Sequence, residues 1–479
     1  MPVYQNVLLP EILHCVFKDL SISDLTKLSL VCRKWEALAF PHLHSTVYLG
    51  CASHLENFAH RIVATSDSPS IVSQVRVLVI DAGPRQKYYN YDERSMISEQ
   101  HMKTLRKLAD NLPNLEYFSW ELKFLRGSVS VMKTLRANCP SLRSLRCLVP
   151  ESEEGEGSWF EEGPRCRMFR FTGLLHFSWE IEATFDNESS LLERLAQSLR
   201  ACPDLKTLEL SFNGFDDESS WSTENFWSKL RDVTFRSLRT FRAVGSSIIP
   251  DWPLLLDSPD KSALRAFFLR HPNLRSIGFG PMPPTGCERS LEVTDVETLF
   301  PSLTEFEGPV FLSRLIVGSA LADQIESLTI TDDAQDVNTG AIDLSPVAWM
   351  AKRMPRLRRL AINIWNIHSD GVSGLDELLQ CAPSLKELKI VVKFTELDEI
   401  VDLLPHVPCL QGLSIYFPSV MELRTGESGW NECLPLMAKV CPQLQYVCEV
   451  AAWEETGYWW IVRGRGGEIS VVPDGIRRP

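Results

Sequence analysis

The chain has 479 residues, 44% of them hydrophobic and 23% charged, with a formal net charge of −13. That length exceeds what one compact core usually holds, and the composition is that of a folded protein. The acidic balance excludes a general binder of nucleic acid or of acidic membranes, since either needs a basic field. No run of about 18 apolar residues offers a membrane span. The first thirty residues carry Glu11, Lys18, Asp19, Asp24 and Lys27, so the apolar block of a signal peptide is missing there. The expectation is an intracellular protein of the cytoplasm, the nucleus or both.

In chain order, the first elements are three short helices. Leu8–Leu20 opens with Pro10, suited to a first helical turn, and Glu11, which complements the positive helix end. Ile12, Leu13, Val16, Phe17 and Leu20 then fall on one helical stripe. Ser23 is placed to cap a second helix carrying Leu25 and Leu28. A third begins near Val31-Cys32-Arg33-Lys34-Trp35, runs through Leu38 to about Phe40, and is expected to stop at Pro41. Three helices in about forty residues bury little surface alone, so the module needs a partner, either the next domain or another protein.

Leu9-Pro10-Glu11-Ile12-Leu13, Val16-Phe17, Leu20, Asp24-Leu25, Leu28, Val31-Cys32-Arg33, Trp35, Leu38-Ala39 and Pro41 together resemble an F-box. The match covers Leu8 to about Leu49. One departure is that Pro10 and Glu11 are adjacent, where many F-boxes place a residue between them. The resemblance implies docking onto a Skp-type adaptor of a cullin–RING ubiquitin ligase, with a C-terminal repeat domain holding the substrate. It makes Leu9, Pro10, Ile12, Leu13, Val31, Cys32 and Trp35 the candidates for the adaptor-facing or interface-supporting set. Each of them can also be read as packing the three helices together, above all Leu13 and Trp35.

A strand at Ser45–Leu49, a helix at Ser53–Ala64 and a second strand at Val75–Ile80 follow. From there one phrase recurs: a helical run, a Cys-Pro or Pro stop, then apolar residues at the first, fourth and sixth places of a strand. It is clearest in Ala201–Leu210, where Cys202-Pro203 precedes Leu205, Leu208 and Leu210. It returns at Leu142/Leu145, Leu274/Ile277/Phe279, Leu357/Leu360/Ile362, Leu385/Leu388/Ile390, Leu410/Leu413/Ile415 and Leu444/Val447. Weaker copies are Leu115/Phe118, Leu174/Phe177, Leu238/Phe241, Leu303/Phe306 and Ile325/Leu328/Ile330. The eleven intervals between Pro113 and Pro442 average about 30 residues, the spacing of a stacked helix–strand repeat. Proline stops the helix, and the three apolar places point into one layer.

The Leu-x-x-Leu-x-Leu pattern resembles leucine-rich repeats. The expected fold is therefore an α/β solenoid, a leucine-rich-repeat arc of helix–strand units behind a three-helix F-box. Its domains are residues 1–45, 46–450 and a capping hairpin with tail at 451–479. Helical faces are expected at Leu105/Leu108/Ala109/Leu112, Leu191/Leu192/Leu195/Leu199, Leu375/Leu378/Leu379/Ala382 and Leu397/Ile400/Val401/Leu404. Glu151–Glu162, Ser246–Ser262, Gly280–Ser290 and Thr331–Ser345 read as surface loops or a substrate-contacting lip. Tyr458–Arg463 and Glu468–Val472 read as a hairpin covering the last repeat.

The thirteen cysteines make no disulfide framework. Cys139, Cys202 and Cys441 share the slot before the helix-ending proline, where a small buried thiol fits, as in a reducing compartment. No metalloprotease, phosphate-loop, nucleophile-elbow or zinc spacing is present. His42-x-His44 reads as packing or surface, and Gly464–Gly467 as a turn. Catalytic residues, metals and cofactors are therefore not expected.

One repeated feature points to binding. The residue after the first repeat leucine is basic at Arg143, Lys206, Arg239, Arg275, Arg358 and Lys386, which stacking would align as a column. The column reads either as an ordinary polar rim or as a receiver for an acidic or phosphorylated peptide. Thr207, Glu209, Arg242, Arg359, Asn363, Trp365, Lys389 and Tyr416 would share the exposed strand face. The substrate-binding candidates are Arg242, Arg358, Arg359, Trp365, Lys386, Lys389 and Tyr416, because aromatic and Arg residues dominate interface energy. The function these readings support is a non-catalytic substrate receptor of a cullin–RING ligase, its partners a Skp-type adaptor and a protein substrate, with no nucleic acid and no membrane. The alternative is a repeat scaffold that does not deliver its partner for degradation.

Overall fold

A computed structural model describes residues 10–64, 71–81, 99–121, 128–149, 170–181, 188–212, 223–245, 250–258, 260–280, 291–331, 342–363, 372–391, 397–415, 428–451, 454–464 and 468–473. The N-terminal helices are α1 (Pro10–Lys18), α2 (Ile22–Ser29) and α3 (Arg33–Leu43). Two of their expected boundaries move. Ser21, not Ser23, is the cap of α2: its Oγ accepts the Asp24 N–H at 3.1 Å, and Ser23 lies inside the helix. Pro41 does not stop α3, which continues to Leu43 with the His44 N–H bonded to the Phe40 carbonyl at 3.1 Å. A proline near a helix C-terminus loses only one bond of the ladder.

Beyond the helices, the described residues form a sheet of sixteen strands, from Thr46–Leu49 to Ile469–Pro473, whose order follows the chain. Every pairing described within it is parallel until the last two strands, which are antiparallel. Parallel neighbours need long crossovers, and helices supply them, so the architecture is solenoid-like. The chain divides into two compact units, Met1–Leu208 with Gly214–Ser219 and Glu209–Asn213 with Ser220–Pro479.

In the first unit, Thr46–Leu49, Val77–Asp81, Tyr117–Glu121, Ser144–Val149 and His176–Ile181 pair with no slip. Val47, Leu78, Phe118, Leu145 and Phe177 stand in one row across the five strands. In the second, the row runs Phe241, Ile277, Phe306, Leu328, Leu360, Leu388, Leu413, Val447. Every repeat places its fourth-position residue at the same offset, and a register slip of one would turn that whole row to water. Apart from Val47 on the first strand, which is half-buried, these residues are buried, as are Leu105, Leu108, Ala109 and Leu112 on one expected helical face and Leu375, Leu378, Leu379 and Ala382 on another. Trp120 and Trp179, at sixth positions, are buried too. Burying each such side chain is worth about 1.5–3 kcal/mol, a gain only stacking can supply.

The slot before the proline does more than stop a helix. Cys139, Cys202 and Cys441 are buried free thiols, and each Sγ reaches a carbonyl of the preceding repeat: Ala109 at 3.9 Å, Phe171 at 3.7 Å and Leu410 at 3.5 Å. Burial pushes the Cys139 thiol up to about 12, so it stays protonated. In the same slot His271 accepts the Phe235 N–H at its Nε2 (2.9 Å) and holds the Phe267 carbonyl with Nδ1 (2.6 Å). Around it Trp227, Phe235, Phe241, Phe267 and Phe268 make tilted and edge-to-face contacts.

Two expected loops hold structure. Ser246–Ser262 contains a helix, Trp252–Asp257, whose N-cap Asp251 accepts the Leu254 N–H at 3.0 Å and whose Trp252 and Leu255 are buried. Within Thr331–Ser345, Ile342–Asp343 pairs in parallel with Val372–Ser373. Residues 151–162 and 281–290 lie outside the described residues. At the C-terminal end Glu454–Arg463 pairs antiparallel with Tyr446–Ala451 and then with Ile469–Pro473. The Arg463 guanidinium donates to the carbonyls of Leu444 (2.6 Å), Ala438 and Cys441 (both 3.2 Å), satisfying the end of the helix Ser428–Val440.

Candidate protein-docking surfaces

The four large apolar residues of α1, Ile12, Leu13, Val16 and Phe17, divide between two faces. Leu13 and Phe17, four apart, point inward and join Leu25 and Ala39 in a small core, with Leu20, Leu28, Trp35, Leu38 and Leu43 packed around it. Ile12 and Val16 sit one position earlier on the helix, about 100° around the axis, and are 47% and 50% exposed. The expected single stripe is therefore two stripes. Ile22, Leu30 and Val31 are more exposed still, Leu30 at 82%. A module of this size that leaves five large aliphatic side chains in water has spent more apolar residues than its own core can use.

The adaptor candidates distribute accordingly. Ile12, Val31 and Cys32 are exposed. Leu13, at 6% exposure, supports the module from inside and cannot itself face a partner. Trp35 is half-buried, its ring edge-on to Phe17 at 5.9 Å, so it too is mainly a packing residue. Pro10 begins α1; Leu9 lies outside the described residues. Val16, Ile22 and Leu30 were not among the candidates. The signal that could have found them is the i, i+4 pair Ile12/Val16 lying beside, not on, the Leu13/Phe17 pair.

His14 and His42 tie α1 to α3, with Nδ1 and Nε2 3.0 Å apart and the Phe17 ring beside His42. Burial, with His14 beside it, lowers the pKa of His42, and burial also lowers that of His44. The His-x-His is thus a packing feature. Among the described residues, no group of three or more His, Cys, Asp or Glu side chains is placed to hold a metal, and no helix is long and apolar enough to cross a membrane.

The second surface is the strand array. The column of residues after the first leucine exists as a backbone ladder. In the second unit the Arg275 N–H donates to the Arg239 carbonyl (2.7 Å), Thr304 to Arg275 (2.8 Å), Glu326 to Thr304 (2.7 Å), Arg358 to Glu326 (2.9 Å) and Lys386 to Arg358 (2.8 Å). It is not uniformly basic: Glu326 separates Arg275 from Arg358, and in the first unit Glu116 stands before Arg143 and pairs with Arg76.

On the uncovered strand face two candidates are already engaged. Arg242 reaches over Gly278, where a Cβ would come within 3.1 Å of its Cγ, to pair with Glu307 two strands away. Arg359 pairs with Glu305 at 3.0 Å, also two strands away. Lys389 is half-buried and Lys386 and Arg358 are exposed, while Trp365 and Tyr416 lie outside the described residues. Sequence reasoning missed those two ion pairs because each joins residues more than fifty positions apart. It also missed the aromatic group at the C-terminal end, where Tyr446 stands 5.9 Å from Tyr458 and 5.6 Å from Trp460, with its ring lying over Gly412.

Residues 10–50 match the family profile described as F-box-like. A search of curated proteins finds no match. Among solved structures the chain is similar to one described as the Rad7 and Elc1 complex in yeast, at 13% identity over 92% of this chain and 88% of that one, with a TM-score of 0.41. A second similarity is to the TLR13–ssRNA13 complex, at 12% identity over 81% of this chain and 50% of that one, with a TM-score of 0.29.

Proposed function

We propose that this chain is a non-catalytic substrate receptor of a cullin–RING ubiquitin ligase. In this reading the three helices dock onto a Skp-type adaptor and the repeats, of the leucine-rich kind, hold a protein substrate. The observation that carries it is the exposed aliphatic set Ile12, Val16, Ile22, Leu30 and Val31 inside the segment that matches the F-box-like profile. Such a receptor acts by raising the effective concentration of its substrate near a ubiquitin-loaded enzyme. The buried free thiols Cys139, Cys202 and Cys441 suit a reducing cytoplasm or nucleus.

The test is direct binding of a purified Skp-type adaptor to the full chain and to Ile12→Asp/Val31→Asp. Both positions are exposed, so the variant keeps its melting temperature while adaptor affinity falls about a hundredfold. Unchanged affinity overturns the proposal. Blocking the proteasome then separates delivery from scaffolding: a delivered partner accumulates, whereas a partner merely held in a scaffold does not.

A further inference from the structure

Five cations and no carboxylate lie between Met350 and Arg359: Lys352, Arg353, Arg356, Arg358 and Arg359. In a chain of net charge −13 this is a local reversal of sign. The backbone that carries it is firmly held. Met354 and Leu357 are fully buried, the Lys352 N–H donates to the Val317 carbonyl at 2.9 Å and the Met354 N–H to the Cys381 carbonyl at 2.7 Å. Arg359 turns to Glu305, but the side chains of Lys352, Arg353, Arg356 and Arg358 are exposed and make no ion pair among the described residues. Lys386, bonded through its backbone to Arg358, extends the row onto the next strand and is equally unpaired among those residues. Just ahead of the row, Trp349 is 81% exposed at the end of the helix Ser345–Met350.

The fold does not require these cations. Arg356 occupies the place between the proline and the first leucine, which other repeats fill with Asn114, Ser141, Asp204, Asn273 and Ser384. Those repeats make the same turn without a positive charge. Nearby carboxylates are Glu326, whose carbonyl accepts the Arg358 N–H, and Glu387, which stands opposite Arg359 on the next strand; the row outnumbers them, and neither makes an ion pair among the described residues. Cations held this close repel one another, so the row weakens the folded state until an anion approaches. An exposed tryptophan likewise forgoes the burial that a large aromatic ring usually obtains.

We propose that the edge from Trp349 to Arg358, with Lys386, captures an acidic segment of a protein: carboxylate or phosphate groups along the row, and an apolar side chain against Trp349. Guanidinium groups favour two-pronged contact with either anion, and a flat aromatic beside them supplies the apolar anchor. A peptide fits better than a nucleic acid, because its charge ends where the row ends, whereas a phosphate backbone continues onto an acidic surface. The inference deepens the receptor reading by naming the segment such a receptor would hold, and it locates that segment on the strand-entry edge.

The experiment measures fluorescence anisotropy of the full chain with four labelled probes: a short glutamate-rich peptide containing one leucine, the same peptide with phosphoserines replacing some glutamates, its glutamine counterpart, and a single-stranded oligonucleotide. The acidic and phosphorylated peptides bind and the glutamine peptide does not; the ratio of the first two identifies the preferred anion. Arg356→Glu/Arg358→Glu weakens binding at least about tenfold and flattens its salt dependence, Trp349→Ala weakens it about fivefold, and Lys103→Glu/Lys107→Glu, the same charge change at an exposed helix elsewhere, changes it less than about twofold. Arg356→Gln/Arg358→Gln, with melting curves, checks that the effect is not unfolding. Equal weakening by the Lys103/Lys107 control, no preference for acidic over glutamine peptide, or tighter binding of the oligonucleotide overturns the inference. Adaptor binding measured on the same variants stays unchanged; failure of the unaltered chain to bind either acidic peptide while it still binds the adaptor rejects this site alone, and peptide capture without adaptor docking rejects the receptor reading alone.

Discussion

The three-helix module and the repeat array use the same aliphatic residues to opposite ends. Leu360, Leu388 and Leu413 each fall in a row whose neighbours cover them on both sides. In α1, Leu13 and Phe17 are covered while Ile12 and Val16 are not. A repeat is completed by the next repeat, so its apolar residues are consumed internally. The module has no next copy, and what its core leaves over faces outward. The difference teaches that exposure, not hydrophobicity, separates a docking residue from a packing one.

The comparison is challenged most severely in the aromatic core of the second unit. Phe267 is fully buried against Trp227, Phe241 and His271. Phe267→Ala should cost about 3–5 kcal/mol in denaturant unfolding. A cost near zero would mean that the repeats are not completed by stacking.

His271 provides a pH-dependent version of the same test. Burial lowers it from 6.5 to about 4, and its Nε2 is occupied as an acceptor for the Phe235 N–H. As pH falls below 6.5 the unfolded chain takes up a proton that the folded chain refuses until about 4. The unfolded state then binds more protons, so the His271 contribution is flat above 6.5 and stability falls through that window by about 3 kcal/mol. His271→Phe removes this contribution but leaves the Phe235 N–H unpaired, costing about 1–3 kcal/mol at neutral pH. Urea unfolding of both proteins at several pH values checks the crossover.

Within the module, adjacent positions of one helix sharpen the contrast. Leu13→Ala should destabilise the three helices by about 2–3 kcal/mol, whereas Ile12→Ala stays within about 0.5 kcal/mol and weakens adaptor binding. Helical circular dichroism of the full chain during melting, with adaptor titration alongside, distinguishes them; equal destabilisation would erase the distinction between the faces. The smallest effect is at the α2 cap, where Ser21→Ala should cost about 1 kcal/mol and Ser23→Ala less than half of that.

Much of this molecule was legible from local spacing. The proline stops, the first, fourth and sixth apolar places and the shared cysteine slot specify the repeats, because parallel strands in one register need nothing more than the same phrase at the same offset. The column from Arg239 to Lys386 followed from that register. Less legible were the limits of the short helices, where Ser21 and Ser23 are chemically equivalent caps and Pro41 sits late enough to be tolerated. The helix at Trp252–Asp257 was hidden by a surrounding stretch rich in Pro, Ser and Asp.

Sequence alone thus determined the repeat, its register and the presence of a three-helix front, since each depends on residues within about thirty positions of one another. Tertiary structure alone decided which side of α1 is covered, that Arg242 and Arg359 are engaged by Glu307 and Glu305, and that Lys352, Arg353, Arg356 and Arg358 stay unpaired among the described residues. Burial and ion pairing are properties of neighbours brought together by the stack, and the chain's own order does not name those neighbours.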